Sequence, residues 1–315
     1  MSSEPVISAE RRPLGDSGLE VSVAALGCNN LGRRIDADQT QRVVDAALEQ
    51  GITFFDTADM YGGGASERVL GAALGDRRAD VVIATKFGHP RGPDFGVPKG
   101  SAEHVRRATE ESLERLATDY IDLQYLHSPD PDTPIEVTLE ALWTLIDEGK
   151  VRAIACSNFS AVQLEEAEQV ARSAGKPHFS AVQNKYNIIE RGGGRDVLPL
   201  CREYGIGFVP WFPLASGLLT GKYTRGAKPP AGSRFETWGT EVSDEQWDAA
   251  ERADAFAQEL GWTLHELALG GLASEPGITS VIAGATSPEQ LSANVAATAK
   301  RLDEGQLERL AAAIG

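Results

Sequence analysis

Short apolar segments alternate with longer amphipathic segments along almost the whole chain, and the alternation occurs eight times. Several of the apolar segments are nearly continuous and rich in β-branched residues, which is typical of strands covered on both faces. The pattern predicts eight strands, at residues 22–27, 52–57, 81–86, 121–127, 152–157, 179–184, 206–211 and 278–283.

The segments between these strands have the period of amphipathic helices. A glycine follows several of them, where a left-handed helix end is expected, and Ser101 and Ser160 stand where N-terminal caps are expected. The pattern predicts helices near residues 38–50, 66–75, 101–118, 136–148, 160–174, 195–204, 243–260, 263–274 and 288–299.

Strand–helix alternation predicts a parallel sheet, and eight units close a (β/α)8 barrel. An open, doubly wound sheet is the alternative architecture. Since no linker divides the chain, we expect a single α/β domain, a TIM barrel over residues 13–315. Residues 1–12 would be a disordered N-terminal leader or part of a capping hairpin. The long stretch 218–242 is either a lid or a variable surface segment.

The 315 residues include 30 Lys and Arg against 46 Asp and Glu, a net charge of −16. This charge disfavours nucleic acid and anionic membranes as partners, although local cations can still hold a small anion. The three cysteines cannot form a disulfide framework, and no stretch has the apolar length of a membrane span. We therefore expect a cytoplasmic protein without membrane insertion.

Polar side chains end six consecutive predicted strands, at the end of the barrel where such folds place their active sites. Asp56, Lys86 and His127 end three neighbouring strands, which lie about 4.8 Å apart in a sheet, and Tyr61 follows in a loop. The next strands end in Ser157, Asn158, Gln183, Asn184 and Trp211.

Together these side chains could make Tyr61 a proton donor. A free phenol has a pKa of about 10, so we expect Lys86 to lower the pKa of Tyr61 and Asp56 to keep Lys86 charged. His127 would orient a substrate oxygen. Each residue alone could instead be a solvated strand end, a helix cap, a half-buried histidine or a loop aromatic. Their convergence favours a site that protonates an alkoxide formed from a carbonyl.

Other chemistries have weaker support. The histidines lack metal-ligand spacing, so we expect no metal, and no Gly-x-Gly-x-x-Gly motif is present. Residues 217–223 resemble a P-loop, but the glycine spacing and Tyr223 break the motif. Cys28 and Cys156 are expected to be small buried side chains rather than nucleophiles.

A phosphate site could follow the last predicted strand. The turn at residues 284–290 enters a helix with Pro288 in its first turn, and Lys222 and Arg234 in the long loop would supply cations. An ordinary capped helix is the alternative. Trp211 either stacks on a ring or packs in the core.

Segments in the same order along the chain resemble the aldo-keto reductases, starting at Arg12. They are residues 54–71, 82–88, 120–130, 156–160, 182–191, 210–223 and 282–295. The resemblance implies that Asp56, Tyr61, Lys86 and His127 form a catalytic tetrad with Tyr61 as general acid. It also implies a nicotinamide cofactor, NADPH/NADP+ rather than NADH, lying across the barrel, and a small carbonyl substrate.

The resemblance further implies the cofactor contacts. Besides Asp56, the nicotinamide end would meet Gly27, Cys28, Asn29, Ser157, Asn158, Gln183 and Trp211. The pyrophosphate would meet Pro213, Leu214, Ser216, Gly217, Leu219, Lys222 and Arg234. The adenosine 2′-phosphate would meet Gly284, Thr286, Gln290 and Asn294.

Two residues point to different branches of that family. Many members carry Tyr at the position of Trp211, and a Trp there resembles the branch of the potassium-channel β subunits. Those subunits carry Asn at the position of His127, so His127 favours a reductase. We predict an NADPH-dependent aldehyde or ketone reductase that transfers hydride from nicotinamide C4. The alternatives are an NADPH-binding regulatory protein like a channel β subunit and a barrel hydrolase. A homo-oligomer is possible, and residues 28–34 depart from the family and leave the substrate unassigned.

Overall fold

The computed structural model describes residues 9–239 and 241–315. Two short strands, Arg11–Pro13 (β1) and Glu20–Ser22 (β2), form an antiparallel hairpin. They precede eight strands of one sheet, Ala24–Gly27 (β3), Phe54–Asp56 (β4), Val82–Phe87 (β5), Ile121–Leu126 (β6), Val151–Ser157 (β7), Ala181–Gln183 (β8), Gly207–Phe208 (β9) and Val281–Gly284 (β10).

The eight strands are parallel and their order is β10-β3-β4-β5-β6-β7-β8-β9. Phe208 of β9 also bridges Ile278, just ahead of β10, and the Thr279 amide donates to the Phe208 carbonyl at 2.9 Å. The sheet therefore closes on itself. The predicted (β/α)8 barrel is confirmed, and the open sheet is not the architecture of this chain.

Helices surround the barrel, and every predicted helix is present. None in the described ranges is long and apolar enough to cross a membrane. The pattern did not predict α6, α8 and α12; the first two have four and five residues, too few to show a period. The helices are Ala37–Glu49 (α1), Ala65–Leu74 (α2), Ala102–Leu116 (α3), Ile135–Asp147 (α4), Ala161–Ala174 (α5), Gly192–Arg195 (α6), Val197–Tyr204 (α7), Arg234–Trp238 (α8), Asp244–Glu259 (α9), Leu264–Ser274 (α10), Pro288–Thr298 (α11) and Glu304–Ile314 (α12).

The local signals for helix ends act as expected. Ser101 accepts a hydrogen bond from the His104 amide at 3.3 Å, and Ser160 accepts one from the Gln163 amide at 3.3 Å. Each bond satisfies a backbone donor that has no partner within the helix. Helices α5 and α7 end at glycines in the left-handed region, which turn the chain away from the helix axis toward the next strand.

Buried apolar side chains fill the inside of the barrel, among them Phe54, Leu123 and Tyr125. The hairpin contributes Leu14 and Val21 to this interior cluster, so it closes the end at which the strands begin. Residues 11 and 12 therefore belong to the capping hairpin. Residues 1–8 lie outside the described residues, and the domain boundary stays a prediction.

A buried carboxylate ties several elements together at this closed end. Asp122 Oδ2 forms an ion pair with Arg78 Nη2 at 2.7 Å and accepts a hydrogen bond from the Ile83 amide at 3.0 Å, and its Oδ1 accepts one from Arg152 Nη1 at 3.0 Å. The guanidinium carbons of both arginines lie over the ring of Tyr120, each 4.2 Å from the ring centroid. The charge of Asp122 thus holds two arginines against the start of the barrel.

Asp122→Asn should lower the free energy of unfolding by about 3 kcal/mol, because losing one partner of a buried ion pair leaves the other charge desolvated. Urea denaturation at pH 7 measures this loss. The control is Glu148→Gln, which breaks the exposed ion pairs with Arg106 and Lys150 and should cost much less, because solvent screens both partners. Equal losses in the two variants would contradict a special role for Asp122.

Candidate active site

On each of the eight barrel strands, a predicted site residue comes two positions after a side chain of the interior cluster. Side chains alternate between the two faces of a strand, so a residue two positions after an interior side chain points to the same face. At the carboxyl end of a barrel strand that position faces the open end, which we call the mouth. The pairs are Ala25 and Gly27, Phe54 and Asp56, Ala84 and Lys86, Tyr125 and His127, Ala155 and Ser157, Ala181 and Gln183, Val209 and Trp211, and Ile282 and Gly284.

At the end of β3, the same alternation places Gly27 and Asn29 at the mouth and Cys28 on the outer face of the sheet. Gly27 pairs with Gly284 of β10, and a Cβ on Gly284 would lie 3.4 Å from Asn29 Oδ1, so these three positions adjoin at the mouth. Cys28 packs on the outer face of the sheet, as does Cys156 of β7. Burial raises the pKa of both thiols, which agrees with small buried side chains rather than nucleophiles.

Lys86 is completely buried, and each N–H of its ammonium has an acceptor. Nζ donates to Asp56 Oδ2 at 2.7 Å, to the Thr57 carbonyl at 2.7 Å and to the Tyr61 hydroxyl at 3.3 Å. The second carboxylate oxygen of Asp56 accepts from Gln183 Nε2 at 2.8 Å. The ion pair is therefore held from several strands, and the phenol oxygen lies against a cation.

Tyr61 reaches the mouth from the loop between β4 and α2. Three glycines follow it, Gly62 to Gly64, with φ of 60°, 64° and 84°. Glycine adopts this left-handed region without a steric penalty, so the chain can reverse directly into α2. The ring of Tyr61 meets the ring of His127 edge to face, with centroids 6.2 Å apart. The structure thus brings the four predicted catalytic side chains together.

Burial determines the charge states of this group. It raises the pKa of Tyr61, and Lys86 opposes the shift without reversing it, so the net direction is opposite to the one expected from Lys86 alone. Burial disfavours the ammonium of Lys86, but Asp56 and Tyr61 more than offset it and the pKa is raised. Burial, with the charges of Lys86 and His89, lowers the pKa of His127 to about 2, so the imidazole is neutral.

A second histidine, His89 of the loop between β5 and α3, lies against His127. The two ring centroids are 4.7 Å apart. His89 Nδ1 accepts a hydrogen bond from the Arg91 amide at 3.0 Å, so the neutral ring carries its proton on Nε2. His127 Nδ1 is buried and has no hydrogen-bond partner among the described residues. Sequence reasoning missed His89 because it lies in a loop beyond the strand end.

Four further predicted residues meet at the ends of β7, β8 and β9. Ser157 and Gln183 are strand partners, and the Ser157 hydroxyl donates to the Gln183 carbonyl at 2.7 Å. Asn158 donates from Nδ2 to the His127 carbonyl at 2.9 Å and accepts from Trp211 Nε1 at 3.3 Å. Asn158 therefore links the half-buried indole of Trp211 to the catalytic side of the mouth.

The residues after Trp211 form a tight turn. Leu214 has φ −103° and ψ 10°, and Ala215 and Ser216 are left-handed, with φ of 46° and 57°. Within this turn the Ala215 amide donates to the Phe212 carbonyl at 3.1 Å, and the Gly217 amide donates to the Leu214 carbonyl at 2.7 Å. A Cβ on Gly217 would lie 3.3 Å from Lys222 Nζ, so an ammonium adjoins this turn.

The rest of the long loop folds back on itself. Pro213 and Leu219 are buried. Tyr223 stacks on Phe235 with centroids 3.8 Å apart and nearly parallel rings, and Arg234 begins α8 beside this stack. These contacts join the two ends of the loop, so Arg234 is held near the other predicted pyrophosphate residues.

The predicted 2′-phosphate residues lie at the start of α11. The Thr286 amide and hydroxyl both donate to Gln290 Oε1 at 3.0 Å. Asn294 is buried, and its Oδ1 is hydrogen-bonded to His265 Nε2 of α10 at 2.9 Å. Thr286 and Gln290 therefore lie against each other at the start of α11, and Gly284 ends the strand before them, while Asn294 faces the neighbouring helix.

Asp59 is a second buried carboxylate at the mouth, two residues before Tyr61. Only 1% of it is exposed, and neither of its oxygens has a hydrogen-bond partner among the described residues. Burial, and then the carboxylate of Glu67, raise the pKa of Asp59 to about 7, although Arg115 opposes the shift. Asp59 is thus the carboxyl here that titrates near neutrality. No sequence signal separates it from an ordinary loop aspartate.

Asp59→Asn should stabilise the protein more at pH 8 than at pH 5. The unfolded carboxyl ionises near pH 4 and the folded one near pH 7, so the free energy of unfolding of the wild type falls as pH rises between these values. Asparagine does not ionise. The free energy of unfolding of Asp59→Asn, relative to that of the wild type, should therefore rise by about 2–3 kcal/mol from pH 5 to pH 8. Urea denaturation at both pH values tests this, with the exposed Asp80→Asn as control. A difference that does not change with pH would disprove the prediction.

Comparison with known proteins identifies the family. Residues 24–314 match the model of the Aldo/keto reductase family. The chain is 38% identical to a probable voltage-gated potassium channel subunit beta of Arabidopsis thaliana, over 90% of this chain and 89% of that protein. It is 37% identical to probable aldo-keto reductase 1 of Glycine max (96% and 88%) and 36% identical to uncharacterized oxidoreductase YrpG of Bacillus subtilis (94% and 93%). The chain therefore belongs to the aldo/keto reductase family of oxidoreductases.

Proposed function

We propose that this protein is an NADPH-dependent reductase of aldehydes and ketones, with Tyr61 as its general acid. The observation that carries the proposal is the 3.3 Å contact between the Tyr61 hydroxyl and the buried ammonium of Lys86. The neutral ring of His127 lies beside it. An acid, a fixed cation and a neutral hydrogen-bond donor at one mouth suit the protonation of an oxygen that gains charge.

The residues at the mouth fit a nicotinamide dinucleotide. The half-buried indole of Trp211 would stack on the nicotinamide ring. The polar groups of Ser157, Asn158 and Gln183 would meet its carboxamide. The pyrophosphate would lie at the turn ahead of Lys222, where the ammonium of Lys222 and the guanidinium of Arg234 would supply positive charge.

The adenosine end of the cofactor would lie over the start of α11. Thr286 and Gln290 would meet the 2′-phosphate there, with Asn294 behind them. These contacts favour NADPH over NADH. Titration of the protein with each reduced cofactor, followed by the fluorescence of the nicotinamide, compares the two affinities directly.

The bound cofactor would supply the hydride that reaches the carbonyl carbon. His127 would donate a hydrogen bond to the carbonyl oxygen; its Nδ1 is buried, which leaves Nε2 for the substrate. As the C–H bond forms and the carbonyl π bond opens, the electron pair moves to the oxygen. The Tyr61 hydroxyl then gives its proton to that oxygen and becomes a phenolate.

The raised pKa of Tyr61 is compatible with this direction of reaction. An alkoxide is a much stronger base than a phenolate, so the proton transfer is favourable even from a buried phenol. Lys86 would stabilise the phenolate that remains, and Asp56 keeps the ammonium charged. The tetrad residues thus act on the proton and on the orientation of the substrate.

The second candidate function is a cofactor-binding regulatory protein with little or no turnover. It is favoured by the 38% identity to the Arabidopsis thaliana protein named as a probable potassium channel subunit beta. Such a protein would bind NADPH but would not oxidise it at a useful rate with any aldehyde of a panel, and it would form a stable complex with a membrane partner.

Tyr61→Phe should lower kcat for aldehyde reduction by about 10²–10⁴-fold, because it removes the general acid without changing the shape of the ring. The dissociation constant for NADPH should stay within about threefold, since hydroxyl loss leaves the predicted cofactor contacts in place. Steady-state oxidation of NADPH measures the first effect, and quenching of protein fluorescence by NADPH measures the second.

The matched control is Tyr120→Phe at the closed end of the barrel, which should keep wild-type turnover. Unchanged turnover in Tyr61→Phe would refute the mechanism. Wild-type protein that binds NADPH but reduces no aldehyde would favour the regulatory alternative.

A further inference from the structure

A tight turn carries His89 directly after β5. Gly88 has φ of 81°, a left-handed value that glycine adopts without strain, and it turns the chain as the strand ends. The Gly92 amide then donates to the His89 carbonyl at 2.8 Å, which closes a four-residue turn with Pro90 as its second residue. Since proline fixes its own φ, few conformations are open to this turn. His89 is therefore held on a short and rigid connection.

The turn is confined on two sides at the mouth. A Cβ on Gly88 would lie 2.9 Å from Leu126 Cδ1, so the entry to the turn packs against the last residue of β6. A Cβ on Gly92 would lie 3.6 Å from Asp59 Oδ1, so the end of the turn packs against the loop that carries Tyr61. The turn thus lies between the end of β6 and the loop of the proposed general acid.

The ring of His89 contacts the ring of His127. The strands that carry the two residues are neighbours, and the His127 amide donates to the Phe87 carbonyl at 2.7 Å, so the two segments leave the sheet side by side. The ring centroids are 4.7 Å apart and the ring planes are inclined by 60°. At this separation no other side chain fits between the rings. The two imidazoles therefore lie next to each other at the mouth.

Both imidazoles are neutral, and each can offer one N–H. Burial is the main cause that lowers the pKa of His127 to about 2, and burial with the charge of Arg91 lowers the pKa of His89. Nδ1 of His89 accepts a hydrogen bond from the Arg91 amide at 3.0 Å, so the ring proton is on Nε2. The turn does not use this Nε2–H, and the ring is only half-buried. A second hydrogen-bond donor thus adjoins the one proposed for the carbonyl oxygen.

We propose that His89 binds the substrate directly and selects carbonyl compounds that carry a second oxygen on the carbon next to the reacting carbonyl. His127 would donate to the oxygen that is reduced, and Nε2 of His89 would donate to the neighbouring carbonyl or hydroxyl oxygen. Two donors on adjoining rings match two oxygens on adjacent carbon atoms. This inference rests on the proposed function and names a substrate class for the same site.

Selectivity follows from the cost of an unpaired donor. A substrate with a single oxygen would displace water from the mouth and leave the Nε2–H of His89 without an acceptor, which disfavours binding. The second oxygen gains little charge while hydride reaches the neighbouring carbon. Its hydrogen bond is therefore about equally strong in the bound substrate and in the transition state, so its loss should raise KM more than it lowers kcat.

A supporting role for His89 beside His127 is the other explanation of the ring contact. A supporting ring would orient His127, and its removal would slow the reduction of every carbonyl substrate alike. Direct binding affects only substrates that carry the second oxygen. The two roles therefore differ in the ratio of two kcat/KM values, one for a substrate with the second oxygen and one for a substrate without it.

The test compares 1-phenyl-1,2-propanedione with 1-phenyl-2-propanone, which share a carbon skeleton and a methyl ketone and differ in the second oxygen. Asparagine can keep the bond to the Arg91 amide, as in an Asx turn, but it is too short to replace Nε2. In His89→Asn the ratio of kcat/KM values, dione over ketone, should fall about tenfold, mainly through KM. Glutamine places an amide donor near the position of Nε2, so His89→Gln should lower the ratio by no more than about threefold.

The control is Asp94→Asn, which removes a charge at an exposed position of the same loop and keeps an acceptor for the Gly96 amide. It should leave the ratio unchanged. An unchanged ratio in His89→Asn would overturn the proposal. So would equal losses of kcat/KM with both ketones, because His89 would then only support His127.

Binding without turnover separates this inference from the proposed function. Calorimetric titration with 1-phenyl-1,2-propanedione, in the presence of NADP+, which cannot donate hydride, should give an affinity that falls about fivefold or more in His89→Asn. Asp94→Asn should keep the wild-type affinity. If wild-type protein reduces neither ketone nor benzaldehyde, the proposed function fails, and the calorimetry still decides whether His89 binds the second oxygen. Equal affinities in wild type and His89→Asn, or no binding by the wild type, would disprove the site.

Discussion

The buried ion pair between Lys86 and Asp56 is the interaction on which the rest of the mouth depends. A fully buried ammonium costs several kcal/mol unless it is paired and hydrogen-bonded. Here Nζ has three acceptors, and the second oxygen of Asp56 is bonded to Gln183. These partners stay in place only while β4, β5 and β8 keep their register. The charge that tunes Tyr61 is therefore coupled to the geometry of the whole barrel.

The two ends of the barrel use buried charge in different ways. At the closed end Asp122 is surrounded by two arginines and a backbone amide, so its hydrogen bonds hold elements together and leave no reactive group. At the mouth the third donor of Lys86 points to the Tyr61 hydroxyl, which has a proton to give. This division is the one expected of a (β/α)8 barrel, in which one end supplies stability and the other supplies the site.

Much of the site could be predicted because strand alternation is local. Asp56, Lys86 and His127 face the mouth because each lies two residues after an interior side chain. Other properties could not be predicted in this way. Gln183, expected at the cofactor, also holds Asp56 across 127 residues of sequence. The net direction of the Tyr61 pKa was wrong when inferred from Lys86 alone, since burial by neighbouring loops outweighs one nearby charge.

By itself the sequence determined the order of strands and helices, the caps that end the helices and the face on which each polar strand end lies. The tertiary structure alone decided that Phe208 closes the ring against Ile278 and that Asp59 loses its solvent. The reason is physical. Alternation and capping depend on neighbours along the chain, whereas desolvation and Coulomb interactions depend on what the fold brings into contact.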